Sequence, residues 1–247
     1  MIDLSIISNK NFFGQIVRLP LKFIPSNKVI HILQGPLKGK KWIKGSSVNG
    51  CWLGFYEYRK QRLFVETVRE KMTVYDIGAN VGFYTLLSST LTKIKGKVFA
   101  FEPLSANVEY LKKHINLNNL QNVTVIKKAI SRKQGDMLFL TGNDRSQGHL
   151  TDNGDIKVAV TTIDNFIEEG NLPPDIIKLD IEGAEYEALL GADTALKAYN
   201  PVIFLSLHNN ELNKMCLEFL AKHNYKFRSI SGEPIDKSCE VLAIRLK

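Results

Sequence analysis

Apolar positions follow two rhythms along this 247-residue chain, and the change falls near residue 72. Beyond it, short and nearly continuous apolar runs alternate with longer stretches in which apolar residues recur every three or four positions. The runs Thr73–Ile77, Lys97–Phe101, Val123–Lys127, Ile176–Leu179, Val202–Leu207, Tyr225–Ile230 and Glu240–Leu246 have the length and composition of strands. Gly82–Leu91, Ser105–Leu117, Glu182–Leu190 and Glu211–Lys222 have helical spacing. Such alternation, with strands apolar on both sides, predicts an α/β fold in which helices cover both faces of a parallel sheet. Met137–Leu140 and Ile156–Thr161 read as an extra strand pair after the third strand. No helical pattern separates the last two strands. Ser231–Lys237, with Gly232 and Pro234, reads as a hairpin loop, so the sheet is expected to end in an antiparallel pair.

Ahead of residue 72 the pattern is looser. Val29–Leu33 and Lys40–Lys44 read as short strands around the turn at Gly35-Pro36…Gly39. Leu53–Tyr58 carries a run of aromatics, and Glu57–Lys71 has helical spacing at Leu63, Val65 and Val68. Residues 1–24 mix apolar and basic side chains, and Pro20 interrupts any long helix there. The chain thus divides into a small N-terminal segment, 1–71, and a main domain, 72–247. No stretch approaches the roughly 18–20 apolar residues of a membrane span, and Asp3 in place of basic residues argues against a secretory leader.

Charge changes the picture of the first segment. Residues 1–71 hold 13 Lys and Arg against 4 Asp and Glu, whereas the remainder holds 20 against 21. A basic front of this kind suits an anionic lipid, an acidic glycan or nucleic acid, or it is simply a solvated face. Residues 1–24 are expected either to pack on the main domain or to touch a membrane peripherally. Cys51, Cys216 and Cys239 form no CxxC pair, which argues against a zinc site and a disulfide framework and for a cytoplasmic location.

Chemistry enters at Asp76-Ile77-Gly78-Ala79-Asn80-Val81-Gly82, which ends the first main-domain strand and opens a helix. Glycines at 78 and 82 let the backbone turn tightly and approach a ligand, and the N–H groups of the helix start favour an anion. Glu102, followed by Pro103 at the end of the second strand, lies where an acid binds ribose hydroxyls. That acid serves a dinucleotide equally well. The loop spacing lacks the second close glycine that a pyrophosphate uses, and this favours S-adenosylmethionine over NAD. The expected cofactor residues are Asp76, Gly78, Ala79, Asn80, Gly82, Phe83, Thr85, Glu102, Pro103 and Ala129. The third strand ends in Lys127-Lys128-Ala129, with no acid for the adenine amino group, so adenine is expected to rest on backbone near Lys128–Ala129 and on apolar flanks such as Leu104.

The fourth strand ends in Lys178-Leu179-Asp180-Ile181-Glu182-Gly183-Ala184-Glu185, beside the first strand at the sheet's switch point. Lys178 and Asp180 share a face, and charges at the mouth of an apolar strand are costly unless paired or used. Glu182 and Glu185 are spaced as neighbours on the following helix, and the fifth strand delivers His208 to the same edge. Asp180 is the expected proton acceptor, with Lys178 fixing its carboxylate and Glu182, Glu185 and His208 beside it. No metal-ligand spacing is legible, so no metal is expected, although Asp180 and His208 together offer two ligands.

The runs VYDIGANVGFYTLL, GKVFAFEP with LKKHINLNNLQNV, and DIIKLDIEGAEYEALLGA resemble the FkbM-type methyltransferases. The resemblance implies a Rossmann-like class I methyltransferase fold, with a seven-stranded, mostly parallel sheet and an antiparallel C-terminal hairpin. It implies methylation of a hydroxyl oxygen, often on a sugar or polyketide-like product, cofactor roles for Asp76, Gly78, Asn80, Gly82 and Glu102, and site roles for Asp180, Glu182 and Glu185. Relatives often carry an acid two residues before the fifth-strand His. This chain has Ser206 there, which puts an acid–His pairing at His208 in question. Two other readings stand beside the O-methyltransferase: a nucleic-acid methyltransferase, suggested by the basic front, and a membrane-peripheral binding protein with a vestigial cofactor pocket. The first lacks an N-P-P-Y-like run after the fourth strand, and the intact loop with Glu102 speaks against the second.

Overall fold

The computed structural model describes residues 23–140, 149–150, 153–235 and 238–245. Strands are β1 (Val29–His31), β2 (Lys41–Ile43), β3 (Thr73–Ile77), β4 (Lys97–Phe101), β5 (Val123–Ile126), β6 (Ala129–Ile130), β7 (Gly135–Leu140), β8 (His149–Leu150), β9 (Ile156–Thr161), β10 (Ile176–Leu179), β11 (Val202–Ser206), β12 (Tyr225–Ser229) and β13 (Glu240–Arg245). Helices are α1 (Asn49–Leu53), α2 (Tyr58–Thr67), α3 (Phe83–Thr92), α4 (Ser105–Leu117), α5 (Ile163–Glu168), α6 (Glu185–Leu190), α7 (Asp193–Tyr199) and α8 (Asn210–Lys222).

The main sheet has seven strands in the order β12-β13-β11-β10-β3-β4-β5. Its five strands from β11 to β5 run parallel, and β13 joins antiparallel between β11 and β12. Successive strand residues point to opposite faces, and the core divides accordingly. Val74, Val98 and Ile176 meet α2, α3 and the β1–β2 hairpin, whereas Tyr75, Ile77, Phe99, Phe101, Ile177 and Leu179 meet α5, α6, α7 and α8. This two-sided burial explains why the strands are apolar throughout. The expected inserted pair forms a small separate sheet, in which β7 lies antiparallel to β9 and pairs with β8, while β6 joins parallel.

The N-terminal segment shares the core of the main domain. Ile32, Leu37, Trp42, Trp52 and Phe64 join one apolar cluster with Val74, Leu87 and Phe204. Trp42 stacks on His114 of α4 with ring centroids 3.9 Å apart. His114 then links two elements: its Nε2 accepts the Ile43 N–H at 3.0 Å, and its Nδ1 donates to the Val81 carbonyl at 2.7 Å. A ring that accepts at Nε2 is neutral, with its proton on Nδ1. Burial accordingly pushes its pKa down to about 4. Not all of the basic front is surface. Lys44 and Lys60 are buried, so the charge presented to solvent by this segment is smaller than its composition suggests. The stretch 1–24 lies outside the described residues except for Phe23 and Ile24. Among the described residues, no helix is long and apolar enough to cross a membrane.

Candidate active site

The turn between β3 and α3 is shaped by close packing. Gly78 has φ +78, and a Cβ there would lie 1.9 Å from the Asp180 carbonyl oxygen, so the two strand ends meet only because residue 78 has no side chain. The loop's donors are largely spent locally. Gly78 and Ala79 donate to the Phe101 carbonyl, Gly82 to the Ala79 carbonyl, Asn80 to Glu102 and Val81 to the Asn80 side chain. The helix begins at Phe83, not Gly82, so an anion would meet the N–H groups of its first turn and not those of the glycine loop itself.

Glu102 is buried, and its carboxylate accepts N–H groups of Asn80 and Leu104, each at 2.9 Å, and the Asn107 amide at 3.3 Å. Burial pushes its pKa up to about 7 against the pull of these bonds. It lines a cleft of about 550 Å³ together with Ile77, Pro103, Leu104, Lys128, Ala129 and Phe139. A second cleft, of about 630 Å³, runs along Ala79, Gly82, Phe83, Tyr84 and Lys178 to Ser47, Val48, Cys51 and Tyr56 of the N-terminal segment. The two share Gly78, Asn80, Asp180 and Glu182.

Asp76 and Thr85 line neither cleft. Asp76 is fully buried beneath the loop, where its Oδ2 accepts the Thr85 hydroxyl at 2.6 Å. Its Oδ1 has no hydrogen bond and faces Lys178 Nζ at 3.6 Å. Burial holds Asp76 above the usual carboxylate range in spite of Lys178 and Thr85. Lys178, its register partner on β10, donates to the Gly78 carbonyl at 2.8 Å and lies 3.8 Å from Asp180 Oδ2. It braces the glycine loop first and Asp180 second.

Asp180 stands where the clefts meet. Its Oδ1 lies 3.2 Å from His208 Nε2, and its Oδ2 lies 3.6 Å from Lys60 Nζ. Burial alone would raise its pKa, but Lys178, Lys60 and His208 outweigh it and hold the group well below the usual carboxylate range. Hydrogen bonds to Asp180 and Glu185 push the His208 pKa up to about 10. The acid–His pairing therefore forms without an acid at 206. Ser206 instead accepts a hydrogen bond from Lys60 at 2.9 Å.

Two expectations about the following turn are corrected. Helix α6 begins at Glu185, because Glu182 and Gly183 have φ of +55 and +109 and form a turn. Glu182 is thus off the helix, lines both clefts and lies 3.4 Å from His208 Nδ1. Glu185 is buried and accepts N–H groups of Ile181 and Gly183 at 2.9 and 3.0 Å, so it builds the turn. Asp180, Glu185 and His208 nonetheless bring three ligand atoms within 4.8 Å of one another, a grouping their sequence spacing concealed.

The chemistry of the clefts fits S-adenosylmethionine. An apolar wall of Leu104, Ala129, Phe139 and Leu150 suits adenine, and Glu102 offers lone pairs for ribose hydroxyls. Lys60, Glu240 and the lining residues Ser47, Val48, Cys51 and Tyr56 escaped the sequence reading. One signal was present for Lys60: with Gln61, Leu63 and Phe64 it lies on the buried face of α2.

The comparisons with known proteins agree. The methyltransferase FkbM domain matches residues 76–227. The hexuronic acid methyltransferase AglP of Haloferax volcanii is 30% identical over 145 residues, which span 58% of this chain and 59% of that protein. Solved structures that share the fold include the following two. The FkbM methyltransferase of Methylobacillus flagellatus has a TM-score of 0.51 at 19% identity, over 80% of this chain and 55% of that one. An S-adenosylmethionine-dependent O-methyltransferase of Thermotoga maritima has a TM-score of 0.51 at 12% identity, over 90% and 78%. The domain that fills most of this chain is an S-adenosylmethionine-dependent methyltransferase domain, and the chain belongs to the FkbM methyltransferase family.

Proposed function

We propose that this protein transfers a methyl group from S-adenosylmethionine to a hydroxyl oxygen of a sugar in a glycan or natural-product acceptor. The observation that carries this reading is Asp180, a carboxylate held by two lysines and a histidine where the two clefts meet. When bound, the cofactor supplies an electrophilic methyl group. The chain's own residues align the acceptor and receive its proton. An alcohol oxygen becomes strongly acidic as it gains a methyl group, so a weakly basic carboxylate at hydrogen-bond distance suffices to take the proton. Lys178 keeps the glycine loop and Asp180 in register. Ser47, Val48, Cys51 and Tyr56 form the acceptor side of the second cleft, which gives the N-terminal segment its role. Residues 1–24, at the head of the basic segment, are proposed to contact an anionic acceptor or its membrane.

The name of the Haloferax relative directs attention to acidic sugars. A hexuronic acid offers a carboxylate as well as hydroxyls, and methylation there gives an ester with no proton to remove. Asp180 as a proton acceptor has work to do only where a proton is released, which favours a hydroxyl. The test supplies methyl-labelled cofactor with glycosides of hexuronic acids, neutral hexosides and oligonucleotides. Alkali-stable label on a sugar is expected. Alkali-labile label would identify an ester, and label confined to oligonucleotides would replace the reading with a nucleic-acid methyltransferase.

A further inference from the structure

We infer that Lys60 is a positioning residue for methyl transfer, acting by fixing the orientation of the Asp180 carboxylate. This rests on the role proposed for Asp180. Lys60 and its partner Glu240 both lie outside the stretch, 76–227, that matches the family domain. The Lys60 ammonium is buried, 1% exposed, and reaches four elements at once. It lies 3.0 Å from Glu57 at the head of α2, 2.9 Å from the Ser206 hydroxyl at the end of β11, 2.8 Å from Glu240 at the start of β13, and 3.6 Å from Asp180 Oδ2 beyond β10.

A buried ammonium is tolerated when paired and hydrogen-bonded, and Glu240 with Ser206 already satisfies that need. Three carboxylates around one cation exceed it. The surplus has a direction: Lys60 and Lys178 both face Oδ2 of Asp180, at 3.6 and 3.8 Å, whereas Oδ1 is left toward His208. Two cations on one oxygen fix the plane of the carboxylate and leave the lone pair of Oδ1 that His208 does not use for the reaction side. The arrangement also explains Ser206. An acid at that position would add a fourth carboxylate to Lys60 and compete with Asp180 for it, whereas a hydroxyl accepts a hydrogen bond without charge.

The test uses the full chain bound to S-adenosylhomocysteine, the demethylated cofactor. Crystal structures of the parent, Lys60→Met, Lys60→Arg and Lys60→Gln are compared at Asp180, and cofactor affinity is measured by calorimetry. In Lys60→Met the Asp180 carboxylate is expected to rotate away from its parent orientation, with cofactor affinity within about threefold of the parent. Lys60→Arg restores the orientation at least in part. With the sugar acceptor identified by the labelling screen, Lys60→Met lowers kcat at least tenfold with little change in acceptor KM, and Lys60→Arg recovers part of the loss. An unmoved carboxylate, or cofactor affinity lost in proportion to activity, overturns the inference. If Lys60→Met does not fold, Lys60→Gln, which keeps a donor without the charge, decides: a turned carboxylate supports the inference, and an unchanged one overturns it. Failure to find a sugar acceptor would overturn the proposed function and leave the crystallographic readout intact.

Discussion

The carboxylate of Glu102 accepts the backbone N–H of Asn80 at 2.9 Å, joining the end of β4 to the glycine loop across 22 residues. The same group lines the first cleft, where it is proposed to meet the ribose hydroxyls as well. Ribose hydroxyls donate to the ionised form, and Glu102 is held up to about 7 by burial. Affinity for S-adenosylmethionine is therefore expected to rise with pH through about 7 and to level off above it. Glu102→Gln should weaken binding by about 1–3 kcal/mol, the cost of disturbed hydrogen bonds to a charged group, and should remove the pH dependence. Calorimetry between pH 5.5 and 8.5 checks both, and a pH-independent parent affinity would contradict the assignment.

Folding stability should carry the opposing signatures of Glu102 and His114. Glu102 has a folded pKa above its ordinary 4.5, so between 4.5 and about 7 the folded state holds a proton that the unfolded chain has released. Its contribution is lost as pH rises through that window. His114 has a folded pKa lowered to about 4 from 6.5, so between those values the unfolded chain holds the extra proton. Its contribution is lost as pH falls. Each amounts to roughly 3 kcal/mol at 1.36 kcal/mol per unit, and over pH 4.5–6.5 they largely cancel. Relative to the parent, Glu102→Gln should gain stability as pH rises through that range, and His114→Ala should lose it. His114→Ala should also cost about 2–4 kcal/mol near neutrality through its two buried hydrogen bonds and the Trp42 stack. Urea unfolding at four pH values measures these slopes, and parallel curves would refute both.

Much of this frame was legible in the sequence because its strands are buried on both faces. Thr73–Ile77, Lys97–Phe101 and Ile176–Leu179 begin and end as their apolar runs do. Short helices were not legible. Helices α5 and α7 have six and seven residues, too few for a period to show. The start of α6 was misplaced because Glu182 adopts a left-handed conformation that composition does not announce. The residues that line both clefts were legible where they are local in sequence, as at Gly78, Asn80 and Asp180. The site was hidden where it is assembled across the chain, as when Lys60 meets Glu240 over 180 residues.

The grouping of Asp180, Glu185 and His208 has the spacing of an incomplete cation site. Two features oppose occupancy. Glu185 spends its oxygens on the N–H groups of Ile181 and Gly183, and the lysine ammonium groups at 3.6 and 3.8 Å already balance Asp180. Methyl transfer is expected to survive EDTA and to gain nothing from Mg²⁺ or Mn²⁺. Turnover lost in EDTA and restored by either ion would make the three residues metal ligands.

Asp180→Asn should reduce methyl transfer more than any other single change at the junction while leaving the cofactor bound. The amide keeps the shape of the side chain but loses its charge, its capacity to take a proton and its pull on Lys60, Lys178 and His208. Proton acceptors of this kind contribute typically about 10²–10⁴-fold, so kcat should fall by at least the lower figure. Cofactor affinity should move much less, because Glu102, the glycine loop and the apolar wall of Leu104 and Ala129 are untouched. His208→Ala should give a smaller loss of kcat, since Asp180 keeps both lysines. Glu185→Gln should act chiefly on stability, because its amide group would confront the N–H groups that its carboxylate now accepts. Rapid-quench single-turnover rates, measured with saturating cofactor, separate these outcomes. A larger loss in His208→Ala than in Asp180→Asn would move the proton acceptor to His208. An Asp180→Asn protein that binds cofactor far more weakly, yet turns over normally once saturated, would make Asp180 a cofactor ligand instead.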